Sequence, residues 1–316
     1  MDHRQSPDIR QPLDLRAGGI MLLLCLIWGL QQVAIKATGG DIAPVLQLAV
    51  RSGIGAVLVV LFMKITGAGL NLASAAWRPG LVVGVLFALE FLFVGEGLRH
   101  TSASHMVVFL YTAPVFAALG LHLLLPAERL ALAQWGGILI AFAGIAVAFF
   151  GRDGSGAAVP GGATLFGDFL GLLGGLFWGA TTVVVRTTAL AGRPAAETLL
   201  YQLVGAFVII GLAAIVLGQT HFNPTPLALG ALAFQAVGVS FFSYLVWFWL
   251  LRHYLAAPLG IFSFFTPLIG VVLGAVLLDE PIEQSFIVGA VLVLSGITIV
   301  SGHGWIRQLV TRRQRA

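Results

Sequence analysis

Ten runs of roughly twenty apolar residues fill this chain, and a bilayer core about 30 Å thick takes about 20 residues of helix to cross. They lie near 18–37, 43–64, 79–98, 103–124, 132–150, 165–188, 194–217, 227–250, 257–278 and 284–302. Lipid offers no hydrogen bonds, so a spanning segment must satisfy its backbone internally, as a helix does. Composition agrees with this reading. Only 9% of the 316 residues are charged and 59% are hydrophobic, whereas a soluble domain carries about 25% charged residues. The expected fold class is all-α, a polytopic membrane protein of ten transmembrane helices.

The formal charge of +4 comes from Lys and Arg strung out one or two at a time between apolar runs; they make no basic stripe, so nucleic acid is set aside as a partner. Cys25 stands alone, so there is no intramolecular disulfide and no cysteine metal site. The seven histidines have no His-Glu-x-x-His spacing, and neither metal nor cofactor is expected. The first apolar run is too long for a signal peptide, and no small-residue cleavage site follows it. With the N-terminus inside, thirteen Lys and Arg residues face the cytoplasm; Lys36, Arg99 and Arg152 face the other side, and Arg51 lies within the second span. Cytoplasmic loops collect such residues, so a multi-pass protein of the bacterial inner membrane with both termini cytoplasmic is expected.

The chain repeats itself. Leu26, Trp28, Gly29, Val33 and Lys36 return 150 residues later as Leu176, Trp178, Gly179, Val183 and Arg186, and Pro44 and Gly55 as Pro194 and Gly205. At an offset of 153, Arg99, His100, Ala103 and Pro114 return as Arg252, His253, Ala256 and Pro267. At 152, Glu128, Gly137 and Gly144 return as Glu280, Gly289 and Gly296. The division is a tail over 1–17, a first repeat over 18–150, a linker over 151–164, a second repeat over 165–302 and a basic tail over 303–316. Five helices per repeat is an odd number, so the second copy enters the membrane from the opposite side. Inverted repeats belong to secondary transporters, which bind substrate near the midplane between the copies.

At these residues the sequence resembles the drug/metabolite transporter superfamily, in particular its ten-helix exporters built from two EamA repeats. The likeness lies in Trp28-Gly29 and Trp178-Gly179, in the segment GLRHTSASHMVVFLYTAP over 97–114 and in ERLALAQWGGILIAFAG over 128–144. It covers all ten spans. The second copy departs at HYLAAP over 253–258, and Asp279-Glu280-Pro281 stands where the first copy has Ala127-Glu128-Arg129. Within that superfamily the chain is most similar to the bacterial exporters of the YddG type, which implies efflux of aromatic amino acids or related metabolites.

A site between the copies would be lined by paired mid-helix positions. Trp28 and Trp178 lead these, followed one turn later by Gln32 and Thr182. Polar groups at that depth need a partner, which a substrate or a neighbouring helix can supply; Gln31 and Thr181 lie beside them, about 100° around the helix. On the third and eighth spans Glu90 pairs with Ser243, Phe87 with Ser240 and Phe91 with Tyr244. Three roles stand for Glu90: binding a substrate ammonium, carrying a coupled proton, or forming a structural pair with Arg51. Glu96 and Lys36 are expected to form a second buried pair. Ser240, Tyr244 and Trp247 share a helix face suited to a ring, or to aromatic packing. Pro114 and Pro267 interrupt the fourth and ninth spans, as hinges or as static kinks, with Tyr111 and Phe264 three residues earlier as gate or wall. His105 opens the fourth span, where it can titrate near neutral pH or simply sit in water. Gly167, Gly171, Gly175 and Gly179 form a stripe for close helix packing, and Glu128 and Glu280 are expected to cap the helices that follow them.

These residues indicate a secondary transporter, not an enzyme, exporting aromatic amino acids or related small metabolites by alternating access. A cationic-drug exporter of the same fold is the alternative, resting on Glu90 and the aromatics; an intramembrane enzyme or a channel lacks its motif. No nucleotide-binding motif is present, which leaves proton exchange or facilitated diffusion. The partners are thus a small molecule, the lipid bilayer and, under exchange, protons. One chain contains both repeats, which makes a functional monomer feasible and leaves the oligomeric state open.

Overall fold

The computed structural model describes residues 14–67, 76–150, 161–254, 259–260 and 262–313. The described residues are overwhelmingly helical and hold no strand, only isolated bridge residues such as Ile42 with Phe222. In chain order the helices are α1 (Leu15–Ala37), α2 (Pro44–Thr66), α3 (Trp77–Gly97), α4 (Ala103–Leu110), α5 (Ala113–Leu124), α6 (Leu132–Phe150), α7 (Gly161–Thr187) and α8 (Ala195–Val216). There follow α9 (Pro226–Ala233), a π-helical segment (Phe234–Ser243), α10 (Tyr244–His253), α11 (Phe265–Leu277) and α12 (Gln284–Arg313). Among the described residues, eight stretches have the length and apolarity to cross a membrane, α4 with α5 counting as one and Pro226–Trp247 as another, and the shorter Leu132–Ala148 and Phe265–Leu277 occupy the other two expected spans.

Local chemistry sets the ends. Asp14 caps α1, its carboxylate accepting from the Ala17 amide at 2.7 Å, and α2 opens on a proline, where a missing N–H costs nothing. It closes on Gly67 at φ 68°, a conformation glycine adopts without strain. The fourth span breaks at Tyr111 and Thr112, and the ninth at Ser263 and Phe264. Each break therefore precedes its proline, which sits in the first turn of the resumed helix and denies an N–H to the turn before.

Two features depart from expectation. The last helix runs on to Arg313, so 303–313 continues it; that stretch carries no proline to stop a helix. The π segment interrupts the eighth span, and its wider turns leave no mark on a hydrophobic pattern read at 3.6 residues per turn.

Glycines let the helices meet backbone to backbone. A Cβ on Gly29 of α1 would lie 3.0 Å from the Gly270 nitrogen of α11, and one on Gly179 of α7 would lie 2.9 Å from the Ala117 nitrogen of α5. Gly29 and Gly179 are matched at offset 150, and Gly270 and Ala117 at 153, so one contact is made twice. Along the glycine stripe of α7, Gly167 abuts Thr101, Gly171 abuts Phe109, and Gly175 abuts the Leu110 and Phe109 carbonyls. Between α6 and α12, Gly137 faces the Gly296 carbonyl and Gly144 faces the Gly289 carbonyl. As one number of each pair rises the other falls, so these helices run antiparallel.

Candidate substrate site

Aromatic side chains from both halves gather where α1, α2, α3, α7, α10 and the break between α4 and α5 come together. The Trp28 Nε1 donates to Ser243 Oγ at 2.9 Å, and the Trp247 ring stands edge-on to Trp28 with centroids 5.7 Å apart. Phe87 contacts Phe91 at 4.7 Å and Tyr244 at 6.5 Å. Tyr111 stands edge-on to Trp178 at 5.2 Å. Trp178 packs against both the Phe87–Tyr244 group and the Tyr111 group, and Ser243, next to Tyr244 in the chain, ties in the Trp28–Trp247 pair.

Two buried charges stand in this wall. Arg51 is 1% exposed and Glu90 4%, yet they form no ion pair within 4.0 Å, so the expected structural pair is not made by contact. The Arg51 guanidinium instead lies 4.3 Å over the Phe91 ring, a cation–π contact. Arg51 Nε and Nη1 and Glu90 Oε2 are buried without a hydrogen-bond partner. Gln32 Oε1 and Ser240 Oγ are likewise unpartnered, whereas the Thr266 hydroxyl lies beside Tyr111 and Cys25. A lone ion in hydrocarbon costs several kcal/mol, and an unmet buried polar group about 1–3 kcal/mol, so this wall holds unused binding capacity.

Other expected residues are already engaged. Ser243 also donates to the Val239 carbonyl at 2.6 Å, so it holds the Trp28 ring and has no donor to spare. Thr181 and Thr182 donate back to Phe177 and Trp178 within their own helix, the usual relief for a hydroxyl in a helix interior. Lys36 and Glu96 do not pair. Lys36 Nζ donates to the Leu98 and Thr101 carbonyls at 2.7 and 2.5 Å; Glu96 is held by Arg99 and His100, close along its own chain, and by Gln219. Pro114 and Pro267 flank the cluster through Tyr111 and Phe264. Missed from sequence were Phe91 as the seat of Arg51, Thr266, and Asp168, which binds Thr101 and the His105 ring; only the lone acid of the sixth span could have signalled the last.

Glu280 does not cap the helix that follows it. Its carboxylate accepts from the Ala103 and Ser104 amides of α4 at 2.7 and 3.0 Å and from Ser104 Oγ at 2.6 Å. Glu128 pairs with Arg186 of α7. On the face away from the chain termini, the loop before α2 is further bound to the loop before α9 through Asp41, Asn223 and Thr225. Gln47 meets Gln235 beneath them.

The EamA-like transporter family matches residues 16–150 and 165–302. The chain is 24% identical to the uncharacterized transporter YoaV of Bacillus subtilis (strain 168), over 88% of this chain and 94% of that one. It is 26% identical to the uncharacterized transporter YyaM of the same organism, over 82% and 97%. A WAT1-related chloroplastic protein of Arabidopsis thaliana is 25% identical over 87% of this chain and 66% of its own length. A solved structure, described only as the crystal structure of a protein, shares the fold at TM-score 0.62 and 20% identity over 95% of this chain and 98% of the other. With membrane-length apolar helices throughout and a family match across both halves, this multi-pass membrane protein belongs to the EamA-like transporter family.

Proposed function

We infer that this transporter exports zwitterionic metabolites bearing an aromatic ring, with aromatic amino acids as the leading class, across the bacterial inner membrane. The observation that carries the reading is the unpaired couple of Arg51 and Glu90 set into a wall of rings. A cation and an anion held apart in low dielectric suit a ligand carrying both charges: its carboxylate would meet Arg51 and its ammonium Glu90. Phe87, Tyr244, Trp28 and Trp178 would take the ring. The resemblance to YddG-type exporters favours the same class. Alternating access between two inverted repeats is supported by the twice-made contact of Gly29 and Gly179 and by the antiparallel α6 and α12.

The test is uptake of labelled phenylalanine, alanine, phenethylamine and phenylpropionate into liposomes holding the protein, with and without a pH gradient. Phenylalanine flux should exceed all three others, and Arg51→Met and Glu90→Gln should each lower it at least tenfold. Flux of phenethylamine alone, lost only in Glu90→Gln, would replace this reading with cation export. A response to the gradient separates proton exchange from facilitated diffusion.

A further inference from the structure

The same four residue positions make different bonds on the two faces. Lys36 and Arg186 are matched at offset 150, and Glu280 and Glu128 at 152. On the face away from the termini, Lys36 grips the Leu98 and Thr101 carbonyls, where α3 ends, while Glu280 grips the amides that begin α4. The α3–α4 turn is thus held by a cation at its carbonyls and an anion at its free N–H groups, the arrangement a helix end favours at each pole. On the face of the termini the matched residues, as far as the described residues go, hold each other instead of a turn. Arg186 and Glu128 bond to each other, about half and a third exposed. At offset 153 the carbonyls equivalent to those of Leu98 and Thr101 belong to Leu251 and Tyr254, and Arg186 binds neither.

Packing beside the two turns differs in the same sense. On the clamped side α4 closes on α11: Val107 is fully buried, and a Cβ on Gly270 would stand 2.8 Å from Val107 Cγ1. Gly274 sits directly against Glu280 and Ser104. The counterparts of Val107 and Gly270 are Gly260 and Ala117, and no described residue comes within 4 Å of a Cβ placed on Gly260. Among the described residues, the close contact of the first seam has no copy at the second.

We propose that Lys36 with Glu280, and Arg186 with Glu128, are two copies of one latch working in antiphase. The couple that clamps a helix turn shuts its face; the couple that bonds to itself leaves its face free to open. In the opposite state Arg186 moves to the α10 carbonyls, and Lys36 and Glu280, already within electrostatic reach, pair with each other. The latch explains why two unlike couples occupy matched places, and it rests on the alternating-access reading above.

The experiment uses the full chain in nanodiscs with Cys25→Ser and a single reporter, either Val107→Cys or Gly260→Cys, and follows its reaction with a water-soluble thiol reagent. Lys36→Met or Glu280→Gln should speed labelling of the Val107 reporter about tenfold and slow that of the Gly260 reporter; tenfold corresponds to about 1.4 kcal/mol. Arg186→Met or Glu128→Gln should do the reverse, because they remove the latch of the other state. Faster labelling of both reporters in all four variants would mean general loosening and would overturn the latch. Reporters that respond reciprocally to added phenylalanine but not to the four substitutions would also overturn it while leaving alternating access standing. Reporters that never respond reciprocally would sink both.

Discussion

Trp28 shows how a single side chain is aimed. Its indole needs an acceptor when it lies among apolar groups, and Ser243 supplies one from the other half of the molecule while donating to Val239. Replacing Ser243 with Ala leaves the indole N–H unpaired at a cost of about 1–3 kcal/mol. We expect Ser243→Ala to raise the KM for the ring-bearing substrate several-fold with little change in kcat, as measured by initial rates in proteoliposomes; an unchanged KM would remove Trp28 from the substrate wall. The individual residues of the cluster were legible in the sequence because Trp, Glu and Ser recur or stand out in apolar runs. Their partners were not. Arg51 has Glu90 within reach yet settles over Phe91, because a guanidinium can stack on a ring of any neighbouring helix that happens to face it.

Glycine decides which helices touch. In lipid there is little hydrophobic drive between helices, so close approach through small residues carries the packing. The α6–α12 seam is the sharpest case, since Cβ atoms on Gly144 and Gly289 would each lie 2.7 Å from the other's carbonyl oxygen. Backbone cannot step aside as a flexible side chain can, and overpacking costs about 1–3 kcal/mol or more. Gly144→Val should therefore lower the midpoint of thermal unfolding in detergent by several degrees, whereas Gly136→Val, where nothing lies within 4 Å, should leave it unchanged. Equal losses at both positions would show that helix propensity, not the seam, is responsible. The proline breaks were legible to within a turn. The π segment was not, because an extra residue in a helical turn shifts every later side chain without changing which residue types are apolar.

Considered whole, the molecule is two similar halves whose ends differ. The described residues tie together the loops on the face away from the termini through Asp41, Gln47, Gln235 and Glu280. The terminal face carries the exposed Arg186–Glu128 pair and a bond from Tyr254 to Asp14. Lys and Arg accumulate on the terminal side of the chain, and the positive-inside rule is our ground for proposing that this side faces the cytoplasm. A cysteine replacing Ser6, in a Cys25→Ser background, should react with a membrane-impermeant maleimide only after cell lysis; reaction in intact cells would reverse the orientation.

Sequence by itself determined the membrane, the helical class and the near-constant spacing between matched residues, because lipid permits few backbone solutions and apolar length, proline, glycine and charge report them directly. Only the tertiary structure decided which matched residues play equal parts. Matched residues need not meet matched surroundings: Lys36 clamps a turn while Arg186 meets Glu128, and Glu280 caps a helix 176 residues before it in the chain. Such bonds depend on which backbone groups helix packing brings within reach of each side chain. That is a property of how the halves lean against each other, and no spacing along the chain encodes it.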